Sequence, residues 1–241
     1  LAAGGALADL ADRFLYCEEY ATAYLGRLFQ GALLRPMDDV DRLLWASPLA
    51  NGDVSAAEAF EAMLTGGEFE QFVAPVFRLF DGVLHRLPDA DGLAHWAAML
   101  RGGMSLEEAA RLFVTSAEAA SLHGDPYNAL DDANFVTWTY RAVLRRDPGT
   151  AELLAGAAAL ASGTTRQALL AQVLQSPENL AATQHRMYAA MAFLVLLRRQ
   201  ADPAGLAFWA AFLAAGNTLE DLAAAFLRCG EFARAWLAAG L

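Results

Sequence analysis

An all-α fold of tandem three-helix repeats, four units preceded by an N-terminal half-unit, follows from three features of the sequence. Arg86-Leu-Pro-Asp-Ala-Asp-Gly-Leu-Ala-His-Trp96 is written again as Arg199-Gln-Ala-Asp-Pro-Ala-Gly-Leu-Ala-Phe-Trp209, with Arg, Asp, Gly, Leu, Ala and Trp at the same offsets. A chain that repeats itself must be read as an array. Leu93, Trp96, Ala97 and Leu100 fall at helical intervals, as do Leu206, Trp209, Ala210 and Leu213. No run alternates with period two, so no sheet is expected.

The chain opens on a closing signature. Phe14 to Tyr24 lies over Phe226 to Trp236, so the N-terminus reads as the tail of one unit. The array therefore either continues past this fragment or ends in adapted caps. Arg35, Arg86, Arg146 and Arg199 anchor the four copies, and Trp45, Trp96, Gly156 and Trp209 follow ten residues later. Asp38, Asp89, Gly149 and Asp202 stand three residues after the anchors, so copy three lacks both Trp and Asp. Each unit then shows a polar break and a new helix start. Ser55-Ala-Ala-Glu58, Ser105-Leu-Glu-Glu108, Thr164-Thr-Arg-Gln167 and Thr218-Leu-Glu-Asp221 read as capping boxes or close variants. Gly102-Gly103, Gly163 and Gly216 before them end the preceding helix. A last signature carries Glu68, Glu118, Glu178 and Glu231 into a first helical turn, where a negative charge suits the helix dipole. Three helices per unit result: a long one before the Arg, one bearing the Trp, and a short one after the Ser or Thr.

The anchors are 51, 60 and 53 residues apart. The excess in the middle interval is Ser121 to Asp132, a stretch rich in turn formers. It predicts a division into 1–120 (half-unit and repeats one and two), an irregular connection at 121–132, and 133–241 (repeats three and four).

The totals exclude several functions. The 241 residues carry a net charge of −11, which repels phosphate backbones and disfavours nucleic acid as a partner. Met187 to Leu197 is the longest strongly apolar run and is too short to cross a bilayer, so no transmembrane segment is expected. No signal peptide is readable, and the chain reads as a fragment of something longer. Cys17 and Cys229 are too few for a zinc site or disulfide scaffold; joining them would require the two ends of the array to meet. The sequence contains no nucleophile elbow, P-loop or Cys-x-x-Cys, so no catalytic residue is assigned and no enzyme is expected.

The consensus of Arg, Pro-Asp or Asp-Pro, Gly-Leu-x-x-Trp, Gly, Ser/Thr and Ser-x-Glu-Phe resembles the bacterial domain-of-unknown-function family numbered 4214, itself similar to the phycobilisome linker domain. Copies two and four match it well, copy one moderately and copy three poorly. The resemblance implies an all-helical module of large bacterial proteins, many secreted or in surface layers. It implies a non-catalytic binding or assembly role at the cell surface or outside the cell, engaging surface polysaccharide or sister subunits. Some relatives accompany glycosyltransferase-type enzymes, so the alternative is an accessory domain positioning a carbohydrate-active enzyme, cytoplasmic as part of a larger chain.

The recurrent residues, Arg35, Trp45, Glu68, Arg86, Asp89, Trp96, Glu118, Arg146, Glu178, Arg199, Asp202, Trp209 and Glu231, read as structural. The Arg faces free carbonyls at one helix end and the Asp caps the next helix. The Trp side chains read as core plugs, and His95, which replaces Leu44 and Phe208 of sister units, reads as packed. Gly92 and Gly205 would permit close helix approach. No cofactor is expected; Asp89-Ala-Asp-Gly92 and Asp38-Asp-Val-Asp41 hold calcium open as an alternative, although the distal Glu of an EF-hand is missing. Candidate ligand-binding residues are those of the irregular stretch: His123, Asp125, Tyr127, Asn128, Asp131 and Asp132. The competing reading of the same stretch is a solvated linker.

Overall fold

The computed structural model describes residues 18–237. Every regular element among them is helical. Copy one has α1 (Glu18–Leu28, continued by a π-helical turn Phe29–Leu33), α2 (Asp39–Asn51) and α3 (Ala56–Thr65). Copy two has a π-helical turn Phe69–Val73 running into α4 (Ala74–Val83), then α5 (Ala90–Arg101) and α6 (Leu106–Val114). In copy three the long helix is broken into α7 (Ala117–His123), α8 (Pro126–Ala129) and α9 (Asp132–Leu144), followed by α10 (Thr150–Ala161) and α11 (Arg166–Leu174). Copy four has an unbroken α12 (Pro177–Leu196), α13 (Pro203–Ala214) and α14 (Leu219–Leu227), with α15 (Gly230–Leu237) closing the described chain.

The breaks in copy three have local causes. Gly124 takes φ 74° at the end of α7. Asp125 and Asp131 cap α8 and α9 by accepting from the Asn128 and Asn134 amides at 3.0 and 2.8 Å. The long helix before every anchor Arg also ends alike. Leu34, His85, Arg145 and Arg198 stand at φ 57°, 54°, 58° and 56°, a left-handed turn that reverses the chain into the Trp-bearing helix. None is Gly, and each carries a steric cost of about 1–2 kcal/mol.

The predicted caps form, with two differences. Ser55–Glu58 and Thr218–Asp221 are complete reciprocal boxes. Ser105 accepts from the Glu108 amide, but the Glu108 carboxylate turns to Arg111 at 2.6 Å instead of back to Ser105. In copy three the cap is Thr165, one residue later than Thr164, and it accepts from the Ala168 amide. Gly103, Gly163 and Gly216 adopt φ of 100°, 106° and 94° after the Trp-bearing helices.

The described residues form two compact units, one of 18–73 and 185–237, the other of Ala74–Gln184. The division expected at 121–132 is therefore not where the compact units part: that stretch lies inside the second unit, and copies one and four share the first. Packing gives the reason. In the first unit α3 packs on α14. A Cβ at Gly31 would lie 3.2 Å from Val195 Cγ1, so the long helices of copies one and four cross where the side chain is absent. The described ends of the chain meet there as well. The Tyr24 and Trp236 rings lie 5.1 Å apart, the Tyr24 hydroxyl donates to the Ala56 carbonyl, and Trp236 Nε1 donates to the Leu196 carbonyl at 2.8 Å. Cys229 is a free thiol, and Cys17 lies outside the described residues. The second unit repeats the plan with copies two and three. Here α6 packs on α11. A Cβ at Gly82 would lie 3.1 Å from Leu174 and 3.4 Å from Val143.

The apolar run from Met187 to Leu197 is buried, except for the half-buried Leu194, within and just after α12. Among the described residues no helix is long and apolar enough to cross a membrane.

Candidate functional site

The residues that recur in sequence assemble into one clamp, built four times. Arg35 donates through Nε and Nη2 to both carboxylate oxygens of Glu68, at 2.7 and 2.8 Å. Arg86 grips Glu118, Arg146 grips Glu178 and Arg199 grips Glu231 with the same two-pronged geometry. In all four, Nη1 donates to the carbonyl of the following residue: Pro36, Leu87, Asp147 and Gln200. The guanidinium also lies over the aromatic ring six residues earlier, with centroids 5.0 Å away at Phe29, 4.8 Å at Phe80, 5.3 Å at Tyr140 and 4.8 Å at Phe193. One planar cation thus joins the end of the long helix, the start of the Trp-bearing helix and the first turn after the short helix. A lysine has neither the fork nor the flat face for this.

A second carboxylate completes each clamp, from two alternating positions. In copies two and four it is the capping Asp three residues on, Asp89 at 3.5 Å and Asp202 at 3.6 Å. In copies one and three it comes six residues on, from Asp41 and Glu152. The sixth position in copies two and four is Gly92 and Gly205. A Cβ there would lie 3.1 and 2.9 Å from Phe80 and Phe193 Cζ, so the expected close approach is real and the ring occupies the space. Copy three replaces its missing Asp: the Gly149 amide donates to Glu152 at 2.6 Å. Asp147 pairs instead with Arg141.

The clamp sets the electrostatics. Arg86, Arg146 and Arg199 hold Glu118, Glu178 and Glu231 below the usual carboxylate range through direct hydrogen bonds. Arg146 and the Gly149 amide pull Glu152 down to about 2. The Gly92 and Gly205 amides do the same, in direction, for Asp89 and Asp202.

The tryptophans have matching surroundings in copies two and four. Trp96 meets Phe113 at 4.7 Å and 55°, and Trp209 meets Phe226 at 4.9 Å and 57°. In copy one the residue in register with Phe113 and Phe226, counted from the cap and from the clamp Glu, is Met63. All three tryptophans are half-buried, so they are lids on the unit rather than plugs at its centre. His95 is exposed, correcting its assignment as packed. Its sister residues Leu44 and Phe208 are 65% and 63% exposed, so their apolar chemistry misled as to burial. In copy three, Gly156 leaves room for Val136: an added Cβ would lie 2.9 Å from its Cγ2, so α10 sits close on α9.

The six candidate ligand-binding residues of the irregular stretch do not converge. The Asp125 carboxylate accepts from the Asn128 amide and side chain, and Asp131 accepts likewise from Asn134. Asp132 pairs with Arg166 at 2.9 Å, and the same guanidinium donates to the Tyr127 and Leu130 carbonyls. The Tyr127 hydroxyl donates to Gln167. His123 lies apart from these, its Nε2 2.9 Å from the Val83 carbonyl. Their polar atoms secure turns and helix starts. Asp38, Asp41 and Asp89, weighed for calcium, are engaged by the Asp41 amide, Arg35 and the Gly92 amide. No group of three or more metal-ligating side chains is arranged to hold an ion among the described residues.

Sequence reasoning paired each Arg with its Asp and missed the Arg–Glu contact, although both partners stood out. The available signal was constancy: Arg and Glu are 33, 32, 32 and 32 residues apart while the anchors vary from 51 to 60. Arg166, the residue that pins the irregular stretch, offered no repeat signal.

No curated protein and no solved structure matches the chain. The family model described as Domain of unknown function (DUF4214) matches at residues 70–123, 113–183 and 180–236, covering copies two, three and four. Copy three, expected to match poorly, is among them, and its clamp persists without Trp or Asp. Copy one lies outside the matched segments yet carries the same clamp. With matches running from 70 to 236, the chain belongs to the DUF4214 family.

Proposed function

We propose that this chain is a non-catalytic assembly module of a bacterial surface or secreted protein, binding sister modules through the outer faces of its Trp-bearing helices. One observation carries the reading. Six of the seven large apolar side chains exposed among the described residues lie here: Val40, Leu43, Leu44, Met99 and Phe208 on these helices and Leu154 on α10, their counterpart in copy three. Scattered exposed apolar residues need no explanation, but recurrence on one element in every copy does. Val40, Leu43 and Leu44 form a stripe on one face of α2 at 63%, 72% and 65% exposure. In α13, Pro203 to Ala214 holds no charged residue, although its face with Phe208 is open.

Between sister modules and polysaccharide, these features favour the protein partner. Aliphatic side chains bury well against one another but offer sugars few hydrogen bonds. The half-buried Trp96 and Trp209 already pack against Phe113 and Phe226. The clamp carboxylates and the acids of the irregular stretch are spent on caps and ion pairs, which supports a non-catalytic role.

Sedimentation velocity over a concentration series tests the reading beside a glycan array. Concentration-dependent association that is lost on Leu43→Glu with Leu44→Glu is expected. Monomers at every concentration overturn it, and glycan binding by those monomers would transfer the role to polysaccharide.

A further inference from the structure

The clamp residues count unevenly. Four arginines hold four glutamates, but the glutamate position is written five times. Phe14-Leu-Tyr-Cys-Glu-Glu-Tyr-Ala-Thr-Ala-Tyr24, laid over Phe226-Leu-Arg-Cys-Gly-Glu-Phe-Ala-Arg-Ala-Trp236, puts Glu19 on Glu231. Phe, Leu, Cys, Glu and both Ala are identical, and an aromatic residue follows each Glu after one and after five positions. The structure gives Glu19 the same setting. It stands in the first turn of α1, as Glu118, Glu178 and Glu231 stand in the first turns of α7, α12 and α15.

Those three, and Glu68, are each held by an Arg 32 or 33 residues earlier. Counting 32 back from Glu19 passes Leu1, so no residue of this sequence fills that place. No arginine of the set is left over either: Arg35, Arg86, Arg146 and Arg199 are all engaged by their own glutamates. Glu19 is exposed, and among the described residues no hydrogen bond or ion pair reaches its carboxylate. An acid at a helix start points to no partner by itself, since the dipole alone favours it. The four completed clamps do, because this position holds a guanidinium every time its register falls inside the sequence.

We propose that Glu19 is a fifth clamp glutamate, the docking point for the arginine end of one further module preceding copy one in the same polypeptide. The internal clamps set the chemistry of that partner. It presents an Arg whose fork takes both Glu19 oxygens, an aromatic ring six residues before that Arg, and an acid three or six residues after it. A second copy of the chain fits less well. Each of its four arginines would have to leave one carboxylate to reach another, with no net gain in pairing. The inference does not depend on the assembly role.

Urea unfolding of two lengths of chain tests it. In the 241 residues alone, Glu19→Gln should shift the midpoint no more than Glu18→Gln, its exposed neighbour in the same turn. A loss as large as that of Glu68→Gln would mean that Glu19 is already paired, and overturns the proposal. The chain is then extended upstream by one module of its natural coding sequence. The extension should carry an Arg 32 or 33 residues before Glu19, the spacing of the internal clamps. Glu19→Gln should now lower the folding constant about fivefold, while Glu18→Gln does not. Replacing the new Arg by Met should cost as much and add little to Glu19→Gln. Absence of that Arg overturns the proposal, and so does an extended chain indifferent to Glu19→Gln. Sedimentation in which Glu19→Gln dissolves an association of the 241-residue chains also overturns it, by giving the glutamate to a second copy.

Discussion

Arg35 and its three sisters each hold a carboxylate with two parallel hydrogen bonds while lying on an aromatic ring. Exposed ion pairs contribute little to stability, so exposure should grade the four. The Arg35 and Glu68 side chains are 23% and 27% exposed, whereas Arg199 and Glu231 are both 40% exposed. Glu68→Gln should cost about 1 kcal/mol in urea unfolding, and Glu231→Gln should cost less. The residue before the clamp predicts a gain. Arg198 is exposed and left-handed at φ 56°. Arg198→Gly should stabilise the protein by about 1 kcal/mol, read as a raised unfolding midpoint. Gly156 predicts the reverse. Helix propensity favours Ala there by about 1 kcal/mol, but the new methyl would meet the buried Val136 at 2.9 Å. Gly156→Ala should therefore lose stability, by about 1–3 kcal/mol of overpacking before that propensity gain. Restoring the consensus with Gly156→Trp should prevent α10 from docking, seen as loss of near-ultraviolet dichroism.

At the scale of the helix, most of the structure was legible because its signals are local. Ser55, Ser105, Thr218, Asp89 and Asp202 read as N-caps in sequence, and each accepts the expected backbone N–H. Gly103, Gly163 and Gly216 read as helix ends and take positive φ. The left-handed Leu34, His85, Arg145 and Arg198 were not legible, since four unlike side chains share only a backbone angle. The shift from Thr164 to Thr165 was hidden because adjacent threonines both fit a cap. The irregular stretch stood out by its turn formers, but the roles of its side chains were open. His, Asp, Tyr and Asn suit ligands and helix caps equally, and only coordinates reveal that Asp125 and Asp131 face their own helix starts.

At the scale of the molecule, the repeat could be counted from sequence but its partnering could not. Copies adjacent in sequence were expected to share a unit, whereas copies one and four occupy one unit and copies two and three the other. The pairing rests on Gly31 against Val195 and Gly82 against Leu174 and Val143, contacts that no local pattern encodes. Acid should act on the whole through the clamps: Glu118, Glu178 and Glu231 are shifted down from 4.5, and Glu152 to about 2. Their contribution is complete above 4.5 and disappears as pH falls through the folded values. Circular dichroism against pH should show helix retained down to about 4.5 and lost below it.

That recurrent arginines knit helices into units is tested most directly by a double-mutant cycle on Arg35→Met and Glu68→Gln, followed by urea unfolding of the first unit. Methionine keeps an apolar stem over Phe29. A favourable coupling of about 1 kcal/mol is predicted, with the double variant scarcely worse than either single one. Strictly additive losses would contradict the clamp.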